Sequence, residues 1–239
     1  MQHLFQVIFY QPIFNLLIFL YTVIPGRDIG LAIILLTIIV RLALWPVSNK
    51  ALHSQKALAE IQPKMEALKK EYGDKQEELA KAMMALYSKE KVSPFSSCLP
   101  VLIQLPVFIA LYQALSHGLK SSGFELLYPF VHNPGTITPT LFGLLNLATP
   151  NIILALLAGA GQYFQAKMMV TRQQPKQTPG AADEQMLATM NKQMLYMMPA
   201  LTVLLGWKLP AGLTLYWLMT NALTIGQQML YFRRADAKK

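Results

Sequence analysis

Residues Ile29–Ser48 read IGLAIILLTIIVRLALWPVS, a twenty-residue run with one charge, Arg41, at its thirteenth position. A helix rises about 1.5 Å per residue, so this run covers the ~30 Å of a bilayer's hydrocarbon core. Barrel strands would alternate apolar and polar residues, and this run does not. It therefore predicts a membrane-spanning helix. Four more segments share the pattern: Cys98–His117, Pro150–Met169, Met194–Leu209 and Ala211–Phe232. The fourth has sixteen residues and is expected to begin a turn or two earlier. The whole chain agrees, with 54% of its 239 residues apolar and 14% charged, against about 45–50% and 25% in soluble domains. Disorder, a collagen-like chain and a disulfide scaffold are excluded, since Cys98 is the single cysteine. The expected class is all-α and polytopic.

Charge sets the orientation. Of 21 Lys and Arg, nine lie in 49–93, four in Lys167 with 170–193, and four in 233–239. Arg27, Lys120 and Lys208 fall on the other side. Under the positive-inside rule the three basic segments are cytoplasmic, the N-terminus is outside and the C-terminus inside. Leu4–Ile24 is apolar enough to span. Its Gln11, Asn15 and Thr22 form an uncharged polar stripe, which suits an amphipathic helix in the outer interface. A sixth span is the alternative, disfavoured because it would place an end without Lys or Arg in the cytoplasm. The expected layout is 1–26 interfacial helix, 27–48 first span, 49–93 cytoplasmic insert, 94–232 spans two to five, and 233–239 basic tail.

The insert differs from its surroundings, with nine Lys, seven acids and few β-branched residues. Leu58, Ile61, Met65 and Leu68 recur at helical spacing, as do Leu79, Met83 and Leu86. Gly73 interrupts them, Asp74 with Glu77 signals a new helix start, and Pro94 ends it. This predicts a helical hairpin with arms Ser48–Tyr72 and Lys75–Lys91, kinked at Pro63, whose apolar stripes cover each other. Thr171–Glu184 is a Gln/Pro/Gly linker. Leu141–Leu147 is too short to span but can dip into the outer interface, and no pattern assigns a structure to 136–151.

Arg41 lies about 18 Å from the outer end of its span and 10 Å from the inner end. A charge there costs ~2.5–3.5 kcal/mol, so it is expected to face the bundle interior or a wet cavity, the alternative being snorkelling. Thr37 shares its face. Gln104, Gln113, Gln162, Gln165, Asn221, Thr224, Gln227 and Gln228 add polarity to other spans, and such groups also glue helices together. Met186, Met190, Met194, Met197 and Met198 form a soft stripe, and Ala155 with Gly159 permits close helix approach. Chemistry has no carrier here. The sequence contains no phosphate-binding glycine loop and no G-x-S-x-G, and no span contains Asp or Glu. Histidines 3, 53, 117 and 132 fall on both predicted sides, so no shared metal is expected. The chain is expected to be no enzyme and to need no cofactor.

Several motifs in order carry a family resemblance. They are Thr37-Ile-Ile-Val-Arg41 with Trp45-Pro46, Ile61-Gln62-Pro63-Lys64, Met83-Met84-Ala85-Leu86-Tyr87, and Cys98-Leu-Pro-Val-Leu-Ile-Gln104-Leu-Pro106. Met198-Pro199, Pro210-Ala-Gly-Leu-Thr-Leu-Tyr216, Thr220-Asn221 and Gln227-Gln228 follow. Over about Gln11–Arg234 the chain resembles the YidC membrane-protein insertases, bacterial relatives of the mitochondrial oxidase-assembly and chloroplast insertases. The resemblance implies a five-helix core around a hydrophilic groove open to cytoplasm and lipid and closed outside. It matches Arg41 to the groove's positive residue, and Thr37, Gln104, Gln165, Tyr216 and Trp217 to groove-facing positions. It implies a mobile cytoplasmic hairpin and a bacterial plasma-membrane location. The implied partners are nascent membrane proteins and lipid, with the general translocon, ribosome or targeting factors as further candidates and no direct nucleic-acid binding. Against the family pattern, a short form is expected: no large periplasmic domain or extra first span, no lipoprotein cysteine, and a seven-residue tail that weakens the case for independent ribosome docking. The expected function is insertion and folding of small membrane proteins. A small-solute transporter would call for an internal repeat, and none is seen. A purely structural assembly factor would have no use for a wet groove.

Overall fold

The computed structural model describes residues 2–73, 75–90, 99–118, 122–173 and 193–236. Asp74, Pro94, Cys98, most of the 171–184 linker, Met186, Met190 and the last three residues of the tail lie outside the described residues. Among the described residues the chain is helical, with one small two-stranded sheet. Its elements are α1 (His3–Val23), α2 (Ile29–Ala43), α3 (Trp45–Tyr72), α4 (Gln76–Lys89), α5 (Leu99–Gly118), α6 (Ile152–Gln173), α7 (Gln193–Gly206) and α8 (Ala211–Asp236). Strands β1 (Thr140–Leu141) and β2 (Leu145–Asn146) pair antiparallel between α5 and α6. Among the described residues, each of the five long apolar segments contains helix. By length and composition alone, α1 passes a test for crossing a membrane, and α2 joined to the first half of α3 passes as a bent pair.

The bend is a departure from the sequence reading, in which one helix ran through Ser48. The helix breaks at Leu44, and α2 meets Trp45–Leu58 at 61°. Pro46 is the cause: it has no N–H for the helical ladder, and its ring would clash with the carbonyl four residues back. Arg41 consequently sits in the last turn of α2, beside the break.

The core is built from α1, α2, α5 and α8. Phe14, Leu17 and Ile18 of α1, Ile29, Ala32 and Ile33 of α2, and Ala110 and Ala114 of α5 are fully buried. Two residues of the polar stripe of α1 meet the polypeptide rather than solvent. Asn15 is buried, donating to the Leu126 carbonyl at 3.1 Å and accepting from Tyr128 N–H at 2.6 Å. Gln11 also donates to the Leu126 carbonyl, at 3.1 Å. Only Thr22 remains at the surface, where its hydroxyl donates to the Phe19 carbonyl. Two of the three stripe residues therefore fasten α1 to the 122–149 connection, the bundle's loop-bearing end.

A second fastening holds that end. The Asp28 carboxylate caps α2 by accepting from Leu31 N–H at 2.8 Å, and its other oxygen accepts from Phe142 N–H. Leu141 lies so close to Gly30 that a Cβ there would come within 2.6 Å of the Leu141 Cβ. The carbonyls of Leu147 and Thr149 accept from Gly212 and Ala211 N–H, both at 3.0 Å, at the start of α8. The β1–β2 hairpin is thus a clasp across the ends of α2 and α8. Helices α3 and α4 pack against each other. Ile61 is buried, and Leu58, Met65, Leu68, Leu79, Met83 and Leu86 are half-buried. Lys64 bonds Glu90 at 2.6 Å, and the Tyr87 hydroxyl reaches Met65 Sδ at 3.9 Å. Partial burial between the arms raises the Tyr87 pKa.

Candidate functional site: a polar seam around Arg41

Arg41 projects from the last turn of α2 toward α8, and the pairing of these helices brings it to the Thr220 main chain. One guanidinium nitrogen donates to the Thr220 carbonyl at 3.4 Å, a long bond by ordinary standards. That carbonyl already accepts from the Thr224 hydroxyl at 2.6 Å. A guanidinium carries five N–H donors, so most of Arg41's capacity is unspent. Among the described residues no carboxylate lies within ion-pair distance of it. Arg41 is half-buried, a cation partly withdrawn from solvent with its charge uncompensated. Such a group costs several kcal/mol if it stays dry and unpaired.

The surroundings extend the polarity along α8. Gln104 of α5 donates to the Tyr216 hydroxyl, and Tyr216 is 2% exposed. Thr220, one turn on from Tyr216, has a buried hydroxyl whose one partner among the described residues is the Tyr216 hydroxyl beside it. Gln228 Oε1 is buried and, among the described residues, unpaired. Gln227 donates to Asn49 Oδ1 at 3.0 Å and to the Trp45 carbonyl at 3.5 Å, closing the seam where α3 begins. From Tyr216 to Gln227 the seam runs about 16 Å along the helix axis. Trp217 flanks it, stacked on Phe108 with ring centroids 5.1 Å apart. An orphaned polar atom in a core calls for water or a ligand, and the one at Gln228 lies on the helix that receives Arg41.

The six predicted site residues divide. Arg41, Gln104 and Tyr216 converge, linked through α8. Thr37 is fully buried on α2, but its hydroxyl is spent on the Ile33 carbonyl at 2.6 Å. Trp217 lines the flank. Gln165 is half-buried on α6 and, among the described residues, makes no hydrogen bond to this cluster. Asn221 acts as glue, donating to the Ala158 carbonyl at 3.0 Å where Gly161 lets α6 approach. Sequence reasoning passed over Thr220 and Asn49 as site residues. The signal for Thr220 was its place midway between Tyr216 and Thr224 at helical spacing.

Outside this seam the surface is apolar over long faces. Leu35, Ile39 and Leu42 on α2, Ile152, Ile153, Leu156 and Leu157 on α6, and Leu201, Leu204 and Leu205 on α7 are all exposed. Faces of that extent need a non-aqueous surrounding. A helical bundle with an apolar exterior of this extent defines a membrane protein.

The chain belongs to the family described as "60Kd inner membrane protein", whose profile matches residues 19–238. It is 39% identical over 202 residues to the membrane protein insertase YidC of Pelobacter propionicus, covering 84% of this chain and 34% of that one. To the protein of the same name from Lawsonia intracellularis it is 34% identical over 227 residues, covering 94% and 38%. The chain thus spans little more than a third of the length of these relatives. A solved structure described as an active YidC insertase with its first transmembrane domain resolved matches with a TM-score of 0.60. Identity there is 24%, over 93% of this chain and 45% of that one, so the likeness is one of fold.

Proposed function

We propose that this chain inserts and folds small membrane proteins, working by physical means without ATP or a chemical reaction. The relatives named above are membrane protein insertases, and family membership supports the same activity here. In this reading α2, α5, α6, α7 and α8 are the five spans, the α3–α4 hairpin and the C-terminus are cytoplasmic, and α1 packs at the outer side. The seam between α2, α5 and α8 is a hydrated groove open to cytoplasm and lipid. The observation that carries it is Arg41: half-buried, without a carboxylate partner among the described residues, and bonded to one main-chain carbonyl at 3.4 Å.

The mechanism follows from electrostatics and burial. Water in the groove shortens the apolar distance a substrate's polar tail must cross. The Arg41 charge attracts acidic tail residues where screening is poor. The substrate's apolar span then leaves sideways into lipid, favoured by about 25 cal/mol for each Å² buried. A membrane potential adds about 2.3 kcal/mol per charge per 100 mV for a tail carrying negative charge outward. Nascent membrane proteins and lipid are the partners. The cytoplasmic hairpin, held to the core mainly at its base, is the element placed to meet a nascent chain, ribosome or translocon.

The test is reconstitution. Purified protein in liposomes, supplied with a small membrane protein during synthesis, should protect the substrate's translocated tail from added protease. Empty liposomes should not. Solute flux without substrate protection would favour a transporter and sink the proposal.

A further inference from the structure

A second polar feature lies at the loop-bearing end, away from Arg41. A crevice of about 370 Å³ is bounded by Phe19, Thr22, Val23 and Arg27 on one side and Phe130, His132, Asn133 and Pro134 on the other. It holds far more than one water, whose share of liquid volume is about 30 Å³. Its two halves differ chemically. Phe19, Val23 and Phe130 are 42%, 62% and 71% exposed, an apolar rim that water solvates poorly. Arg27, His132 and Asn133 present donors.

Arg27 is the cation, and its neighbour Asp28 forms no ion pair with it. Both Asp28 oxygens are engaged, with Leu31 N–H and Phe142 N–H, and among the described residues Arg27 has no ion-pair partner. Its backbone is held in the left-handed region at φ 51°, after Gly26 at φ 80°, by a bond from its N–H to the Ile24 carbonyl at 3.0 Å. A non-glycine residue there stores strain that the surroundings must hold in place, a feature that concentrates at ligand sites. Asn133 Oδ1 accepts from Gly135 N–H at 2.9 Å, leaving its amide nitrogen as a donor. The His132 ring adds another. The Thr22 proton is already given to the Phe19 carbonyl at 2.8 Å. Among the described residues no carboxylate lines the crevice, so a metal cation is disfavoured and an anion favoured.

The exposed apolar face of α1, with Leu4, Val7 and Ile8, continues through Phe19 and Val23 into this crevice. In a membrane protein the material covering such a face is lipid. We propose that the crevice binds the phosphate of an outer-leaflet anionic phospholipid, Arg27, His132 and Asn133 donating to its oxygens while an acyl chain lies along Phe19 and Val23. The leaflet assignment rests on the orientation proposed above; the binding chemistry does not.

Native mass spectrometry of the purified full chain in detergent tests it, titrating with dioleoyl phosphatidylglycerol, phosphatidylcholine or inorganic phosphate. Phosphatidylglycerol should be retained most tightly, and R27N with H132Q should weaken it at least tenfold. Asparagine tolerates the left-handed backbone, so this variant keeps the turn, and R27K should restore part of the binding. V23S with F130S should weaken the lipid without changing the weak binding of phosphate. Unchanged retention in R27N/H132Q overturns the site. Inorganic phosphate competing as well as lipid would make it a free-anion site, and an acidic peptide doing so would assign it to a protein partner; either overturns the lipid. Separately, Asn133→Cys in a Cys98→Ser background should label from outside with an impermeant reagent. Labelling from the cytoplasm overturns the leaflet and leaves the binding result standing.

Discussion

Replacing Asp28 with alanine should release the β1–β2 clasp. One carboxylate oxygen caps α2 through Leu31 N–H at 2.8 Å, and the other holds Phe142 N–H. Losing an N-cap to alanine costs about 0.5–2 kcal/mol. A hydrogen bond to a charged group contributes about 1.5–3 kcal/mol, and the lower end applies because Phe142 is 64% exposed and water can replace its partner. The hairpin should therefore open more easily by about 1.4–2 kcal/mol. Amide hydrogen exchange reads such local openings directly. At about 1.4 kcal/mol per tenfold, the Phe142 amide should exchange roughly 10–30 times faster in Asp28→Ala, and the first turn of α2 should also lose protection. Asp28→Asn separates the two bonds. Its carbonyl can still cap Leu31, while its amide cannot accept from Phe142, so only the hairpin should speed up. Unchanged Phe142 exchange in both variants would refute the clasp.

Gly159→Ala should destabilise the pairing of α6 with α7, because the added Cβ would clash with Val203 and lie 3.2 Å from the Pro199 carbonyl. Overpacking of this kind costs about 1–3 kcal/mol, visible as a lower unfolding temperature in detergent; an unchanged temperature would mean the helices are not packed this closely. In the hairpin, the Lys64 ammonium bonded to Glu90 holds that carboxyl below its ordinary pKa. A depressed carboxylate pKa stabilises the fold above the unfolded value of about 4.3 and loses that contribution as pH falls through the folded value. The link should thus persist at neutral pH, loosen only in acid, and give way to an ordinary Glu90 titration in Lys64→Gln, as followed by NMR. Cysteines replacing Lys75 and Ser122 in a Cys98→Ser background should label from opposite sides of the membrane, and labelling from the same side would contradict the orientation.

Much of the helical layout was legible because hydropathy acts over a whole segment. Twenty apolar residues specify a helix in lipid whatever their order, and the hairpin's 3–4 spacing fixed which faces pair. The misreadings involve partners far away in sequence. Gln11 and Asn15 looked like a water-facing stripe because their acceptor, the Leu126 carbonyl, lies more than a hundred residues on. The β1–β2 clasp escaped because it is two residues per strand and is secured by Asp28 and Gly30, over a hundred positions earlier. Pro46 was visible, but the continuous apolar run outweighed it, and the break at Leu44 followed from the proline. At the site, Arg41 stood out because a lone charge in an apolar span is costly wherever it points. Its acceptor is a main-chain carbonyl, and every residue has one, so no sequence pattern singles out Thr220. Gln165 matched a family position, yet half-burial on α6 without a bond to the cluster leaves its role a proposal.

The central claim is that Arg41 attracts acidic substrate segments into the seam. It is tested most directly by insertion of paired reporter proteins that differ only in the charge of the translocated tail, with expression of each variant checked. Arg41→Lys should preserve much of the activity, because it keeps the charge with fewer directional donors. Arg41→Ala should impair the acidic-tailed reporter more than the neutral one, and Arg41→Glu should be worst for the acidic tail, where attraction becomes repulsion. If Arg41→Ala and Arg41→Glu insert both reporters as the parent does, the charge plays no part in insertion and the electrostatic mechanism is wrong.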